Sequence, residues 1–272
     1  MPKGQFMAFS LVCAENGVKY LKSSIIPVRH GFATRIGGVS AHEHTSSLNL
    51  AFNRGDSTET VLENLRLFCD AVCVDENSVI SRHQIHSKNV IYADENMAGE
   101  GYRKAVDEGC DGYVTDREGV TLGVKTADCV PILFCDPEAR IIGAVHAGWR
   151  GTASGIAAEC VFKMKSLGAE PSRIKAAVGP SIHACCYEVG EDFLSSVTAI
   201  AGEDMAREYI RTVNGRLHAD IVGMNRRFLL ESGVLPDNID ISNQCTCCEP
   251  ELFFSHRYSG GVRGTMLSVI AL

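Results

Sequence analysis

The chain has no run of eighteen apolar residues, so no segment is expected to cross a membrane as a helix. It has no basic excess either. Twenty-six Lys and Arg stand against 33 Asp and Glu, a net charge of −7, which argues against a nucleic-acid backbone as main partner. It has no internal repeat, low-complexity segment or charge-run linker to divide it. HExxH and a double CxxC are absent, as are GxGxxG and the P-loop pattern, so a nucleoside di- or triphosphate site is not indicated. Phe6 to Ala14 is mildly apolar but short, with no clear cleavage pattern, so no secretory signal is expected.

What remains is ordinary globular material. At 272 residues, with 45% hydrophobic and 22% charged, the chain is long enough to bury a sizeable core. One domain over residues 1–272 is expected. Cysteine is plentiful, at twelve, and two pairs are adjacent, Cys185-Cys186 and Cys247-Cys248. Adjacent cysteines fit poorly into a regular disulfide framework. They read as reduced thiols in a cytoplasmic protein, most of them small buried hydrophobes.

Four segments carry helical periodicity. Asp56 to Cys73 opens on a capping-box pattern (Asp56, Glu59) and puts Val61, Leu65, Phe68 and Val72 on one face. Thr152 to Leu167 carries Ile156, Cys160 and Met164, and Gly168 and Pro171 stop it. Glu191 to Ala201 is a third. Leu217, Ile221, Met224 and Phe228 form a fourth stripe. Val120, Leu122 and Val124 alternate, while Val130–Cys135 and Ile141–Val145 are continuous apolar runs of strands buried on both faces. Ile174–Val178 and Met266–Ile270 look similar. The irregular order predicts an α+β fold of mixed β-sheets flanked by helices.

Three segments concentrate reactive side chains: Arg82-His83-Gln84-Ile85-His86-Ser87, Lys125-Thr126-Ala127-Asp128-Cys129-Val130-Pro131, and Val145-His146-Ala147-Gly148-Trp149-Arg150-Gly151-Thr152. A hairpin turning at Asp136-Pro137 would bring Cys129 beside His146, and His86 would complete a His-Cys-His set. Three ligands leave one tetrahedral position open, the mark of a catalytic metal. The same Cys and His could instead be a nucleophile and its base, or plain core and loop residues. Gly148 to Thr152 enters a helix, and Arg150 could add an anion contact there. Cys245-Thr246-Cys247-Cys248 reads as a metal knot or, more blandly, as buried thiols. The Gly-rich stretch Ser259 to Gly264 could cradle an anion beside Arg257 or be a plain turn. His42-Glu43-His44, the single HxH pattern, reads as a solvated loop.

These segments together resemble the YfiH/laccase-domain family, also called the multicopper polyphenol oxidase-like or peptidoglycan-editing-factor family. The resemblance runs from about Gly31 to Leu272. It rests on His30-Gly31-Phe32-Ala33-Thr34-Arg35, Gly37-Gly38-Val39-Ser40, Ser47-Leu48-Asn49-Leu50, Gln84-Ile85-His86-Ser87, Ala127-Asp128-Cys129-Val130-Pro131, His146-Ala147-Gly148-Trp149-Arg150-Gly151 and Gly179-Pro180-Ser181-Ile182. It implies a YfiH-like fold and zinc on His86, Cys129 and His146. The implied activity is a zinc-dependent purine nucleoside phosphorylase with adenosine deaminase activity, taking adenosine, inosine, guanosine or methylthioadenosine. Nucleoside and phosphate are then the partners. Asp128 becomes the proton-handling group or a carboxylate that orients a ligand. Arg257 and Arg150 become phosphate contacts, and Asn49 and Gln84 polar contacts or loop braces. The family's C-terminal Phe-Ser-Tyr-Arg-Arg is matched only in part: His256 and Tyr258 replace the Tyr and the second Arg, and the following motif reads Val262-Arg263-Gly264.

Copper chemistry of the laccase kind can be weighed by counting. A multicopper centre takes about ten His ligands in several HxH pairs, and the chain has nine His in all. A thiolate with two imidazoles suits zinc, with adventitious copper as the lesser possibility. The other readings are a cysteine hydrolase of cell-wall peptides with Cys129 as nucleophile, a copper-binding polyphenol oxidase, and a nucleoside-binding protein without turnover. Oligomeric state leaves no readable mark.

Overall fold

The computed structural model describes residues 9–272. The start of the Phe6–Ala14 segment therefore lies outside the described residues.

Two six-stranded mixed sheets make the framework. The first is built from β1 (Phe9–Cys13), β2 (Lys19–Ser23), β3 (Arg29–Ala33), β4 (Val79–Ile80), β7 (Thr121–Thr126) and β15 (Met266–Ala271), in the order β1-β2-β3-β15-β7-β4. The second uses β5 (Val90–Tyr92), β6 (Gly112–Thr115), β8 (Val130–Asp136), β9 (Ile141–Ala147), β10 (Lys175–Val178) and β14 (Ile239–Ile241), in the order β14-β10-β8-β9-β6-β5. A small third sheet joins β11 (Glu188–Val189), β12 (Ile210–Val213) and β13 (Arg216–Ala219). The helices are α1 (Thr58–Val72), α2 (Trp149–Ala153), α3 (Ile156–Ser166), α4 (Glu191–Ala201), α5 (Glu203–Tyr209) and α6 (Ile221–Glu231).

β8 and β9 are the centre of the second sheet, and every residue of both is buried. Side chains alternate across a strand, and here each side meets a different apolar cluster. Leu133, Cys135, Ile142 and Ala144 pack with the first sheet and with Leu65 and Phe68 of α1. Ile132, Phe134, Ile141 and Val145 pack with Ile156, Cys160 and Met164 of α3. The continuous apolar runs are thus a strand pair covered on both faces, as expected of such runs. The expected hairpin is present and antiparallel, with Val130 opposite Ala147 and Pro131 opposite His146.

Several boundaries differ from expectation. Ser57, not Asp56, caps α1, accepting from the Thr60 amide at 3.2 Å. Asp56 instead accepts from Ser40 and Asn49 at 2.8 Å each and from Thr45 at 2.9 Å. The helix expected over Thr152 to Leu167 starts earlier, at Trp149, and breaks at Gly155, whose φ of 78° no helical residue adopts. Leu217 lies on β13, because Asp220 caps α6 by accepting from the Gly223 amide at 2.8 Å.

The hairpin turn is held by Asp136, which is fully buried. Its carboxylate accepts from the amides of Glu138, Ala139 and Glu170 at 2.9–3.1 Å and from Arg173 at 3.1 Å. Burial pushes this carboxyl up, but the donors outweigh it and hold it below the usual carboxylate range. That stabilisation is present above the ordinary carboxylate pKa and is lost as pH falls through the depressed native value. Asp136→Ala should therefore cost about 1–3 kcal/mol near neutrality, for amides left unsatisfied. The cost should shrink once the pH is below about 4. Urea unfolding at both pH values measures it.

Candidate metal centre and its cleft

His146 is the penultimate residue of β9, Cys129 precedes β8, and the hairpin register sets them side by side. His86 arrives from the loop after β4, in a left-handed conformation with φ 57°. The ligand atoms of His86, Cys129 and His146 lie within 4.8 Å of one another. The two imidazole planes stand at 89°, with centroids 4.8 Å apart.

Asp111, the residue before β6, fixes this geometry. It is fully buried. Its Oδ1 accepts from His146 Nδ1 at 2.8 Å and from the His86 amide at 3.0 Å. Its Oδ2 accepts from the Ser87 amide at 2.6 Å and from Ser87 Oγ at 2.8 Å. Burial alone would push the Asp111 carboxyl up, yet these donors outweigh it and lower it. An ionised carboxylate only accepts, so His146 keeps a proton on Nδ1. Burial lowers this imidazole, but Cys129 and Asp111 outweigh it and raise it to about 9, so a metal at Nε2 would displace the proton shared with Cys129. Burial likewise pushes the Cys129 thiol up, but His146 and His86 outweigh it and bring it down to about 6. The donor set is thus a ready thiolate with oriented imidazoles, which fits zinc.

Gly148 makes room for the triad. A Cβ there would lie 2.7 Å from His86 Cδ2 and 3.2 Å from His146 Cε1. This close approach, rather than any turn, requires the glycine.

The triad opens on a cleft of about 780 Å³. Lys125, Arg263, Arg54 and Arg82 line it, with Tyr102 and Gln84. Lys125 Nζ donates to the Ser81 carbonyl at 2.9 Å and lies 4.9 Å from the Tyr102 ring centre. Burial lowers its ammonium to about 8. Arg263 donates to Thr265 Oγ1 at 2.6 Å, while its buried Nε has no partner. Burial, and then the Arg54 charge, lowers its guanidinium to about 10.

The remaining expected site residues are placed differently. Asp128 does not line the cleft. Its oxygens accept from Thr246 Oγ1 at 2.6 Å and from the Arg257 amide at 2.7 Å, so it braces a loop. Arg257 is exposed, donates to the Cys186 carbonyl at 3.1 Å and lies over Tyr187. Arg150 is also outside the lining and stacks on Trp149, 4.2 Å from the ring centre. Asn49 is fully buried and its amide is spent on Ala51, Asp56 and Thr265. Gln84 lines the cleft, but its amide clasps both backbone groups of Lys125 at 2.7 Å. His42 and His44 stack on each other, and His44 Nε2 engages the Arg54 carbonyl. Asp111, Arg54 and the cleft role of Lys125 escaped the sequence reading, which had weighed Arg263 only as a second contact behind Arg257. A carboxylate directly ahead of a buried strand and a lysine within one were the available signals.

Fold and site define an α+β protein with three donors that could hold a metal in the lining of a cationic cleft. Residues 29–272 match the family model described as multi-copper polyphenol oxidoreductase laccase, and the chain belongs to that family. It is 39% identical to a purine nucleoside phosphorylase of Deinococcus radiodurans over 94% of each chain. It is 36% identical to adenosine deaminase RL5 of an unknown prokaryotic organism, over 84% of this chain and 88% of that one. The crystal structure of the hypothetical protein YfiH of Bacillus licheniformis superposes with a TM-score of 0.87 at 30% identity, covering 96% and 97% of the two chains. Among the described residues only one metal-capable group contains histidine, the triad itself. These residues do not build a multicopper centre.

Asp111→Asn should weaken metal binding by the triad about ten- to a hundredfold by loosening the His146 tautomer, read by competition against a chromophoric chelator. Gly148→Ala should weaken it in the same direction by displacing His86. Unchanged affinity in both variants would contradict this account of the site.

Proposed function

We propose that the chain is a zinc-dependent purine nucleoside phosphorylase with adenosine deaminase activity. The observation that carries the reading is a three-donor centre with an open position beside half-buried, under-satisfied cations. His86, Cys129 and His146 would hold the zinc, which when bound supplies Lewis acidity and lowers the pKa of water. The relatives' names support the substrate class, a purine nucleoside with phosphate.

In phosphorolysis a phosphate oxygen bonds to ribose C1′ and the C1′–N9 bond breaks, with the purine leaving. Arg263 and Lys125 would hold the phosphate, since the Arg263 Nε is buried without a partner. They take the place first given to Arg257 and Arg150, which lie outside the cleft lining. In deamination water adds at C6 and ammonia leaves, and no phosphate takes part. Asp128 acts as a positioning residue through Thr246 and Arg257. The abundance of free thiols supports a cytoplasmic setting. β8 and β9 are shared by both apolar clusters, which supports reading the chain as one domain.

One observation favours a second reading. The Cys129 thiol is lowered beside His146, as a cysteine nucleophile would need. Chelation separates the two. Zinc removal, or Cys129→Ala, should abolish release of adenine and inosine from adenosine. Turnover that survives in metal-free protein overturns the zinc reading and favours the thiol.

Two further outcomes follow from the cations. Arg263→Met should raise the KM for phosphate about ten- to a hundredfold, the loss of a charged hydrogen bond, and leave deamination in place. Phosphorolysis should fall as pH rises through about 8, where the Lys125 ammonium is lost. Lys125→Arg should move that limb to higher pH.

A further inference from the structure

Four thiols outside the cleft converge on one point. Cys185 and Cys186 lie between β10 and β11, and Cys245 and Cys248 follow β14. Their sulfurs all lie within 4.8 Å of one another. Cys248 Sγ is 3.5 Å from Cys185 Sγ and 3.3 Å from Cys186 Sγ. A disulfide would bring one pair to about 2.05 Å and leave the others apart. Four thiolates around one zinc, at about 2.3 Å each, sit roughly 3.8 Å from one another. The near-equal spacing of Cys248 from two sulfurs matches the shared ion and not the bond.

Local structure points the same way. Cys245 and Cys248 have the C-x-x-C spacing of one half of a structural zinc site. The amides of Cys248 and Glu249 both donate to the Cys245 carbonyl at 3.1 Å, a tight turn that puts the two thiols on one side. The His183 amide donates to Cys245 Sγ at 3.4 Å, as amides do toward a bound thiolate. Core filling does not explain the set. Cys69, Cys135 and Cys160 are buried apolar fillers, whereas Cys185 and Cys248 are exposed.

We propose that Cys185, Cys186, Cys245 and Cys248 form a structural zinc site distinct from the His86–Cys129–His146 centre. Binding replaces four thiol protons by one divalent ion, and no electron is transferred. The ion ties two loops that already meet: Thr246 donates its amide to the Ser181 carbonyl at 3.0 Å, and Arg257 reaches the Cys186 carbonyl at 3.1 Å. Through Thr246 and Arg257 the same loop grips Asp128, the neighbour of Cys129. The site thus positions the wall behind the first centre. Cys247 stands outside the four.

The test is zinc counting on the full chain, purified reduced from zinc-replete cells. The wild type should hold about two zinc ions per chain. Cys129→Ala and Cys185→Ser/Cys248→Ser should each hold about one, and Cys247→Ser should keep two. Cobalt loaded into Cys129→Ala should give the visible spectrum of an all-thiolate tetrahedral site. If the double variant does not fold, the wild-type count and the cobalt spectrum still decide. One zinc in the wild type and none in Cys129→Ala overturns the proposal, as does iron in place of zinc or a disulfide among the four in peptide mapping. One zinc that persists in Cys129→Ala upholds this site and removes the catalytic one, so the two failures are told apart.

Discussion

The buried carboxylate of Asp111 is the contact on which the first site depends. An ionised carboxylate in an apolar interior is costly unless its lone pairs are filled. Here they are filled by four donors, and three of those belong to the two neighbouring residues His86 and Ser87. The backbone at His86 takes a left-handed conformation, and both it and Ser87 turn their amides to the same carboxylate. The same carboxylate sets the proton on His146. One charge therefore joins a loop and two strands, orients the His146 imidazole and pins the backbone that carries His86. It also explains why the triad can be spread over three separate stretches of chain.

The cleft beside it is built on a different imbalance. Lys125 and Arg263 are cations with few anionic neighbours, and burial lowers both. Natural cores rarely leave a guanidinium Nε without a partner. Such a cost persists where an anion from outside relieves it. The cation arrangement and the metal donors face the same space.

Much of this was legible in the chain. The His86–Cys129–His146 set follows from three motifs plus one hairpin, because continuous apolar runs around Asp136-Pro137 have few other solutions. α4 stands at the expected residues, and α1 shows the expected buried face. The misses have physical causes. β11 to β13 are short strands with mostly exposed or half-exposed positions, which leaves almost no periodic signal. Gly155 reads as a tolerated helical glycine until its positive φ is seen. Asn49 takes the loop-bracing one of its two expected roles, and Arg257, within the partly matched C-terminal motif, binds the protein's own loop. Asp111 gave no pattern because two of its four donors are backbone amides, and its side-chain partners Ser87 and His146 lie far from it along the chain.

The β8–β9 hairpin has a consequence for how the first centre comes into being. Cys129 and His146 are close along the chain and become neighbours as soon as the hairpin closes. That closure spans a short loop and loses little chain entropy. His86 and Asp111 must be gathered from farther away, by pairing of β6 with β9. The donor set is therefore assembled in stages as the chain folds. Two donors are in place with the local hairpin, and the third arrives only when nonlocal strand order is complete, so a fully coordinated ion reports a correctly threaded sheet.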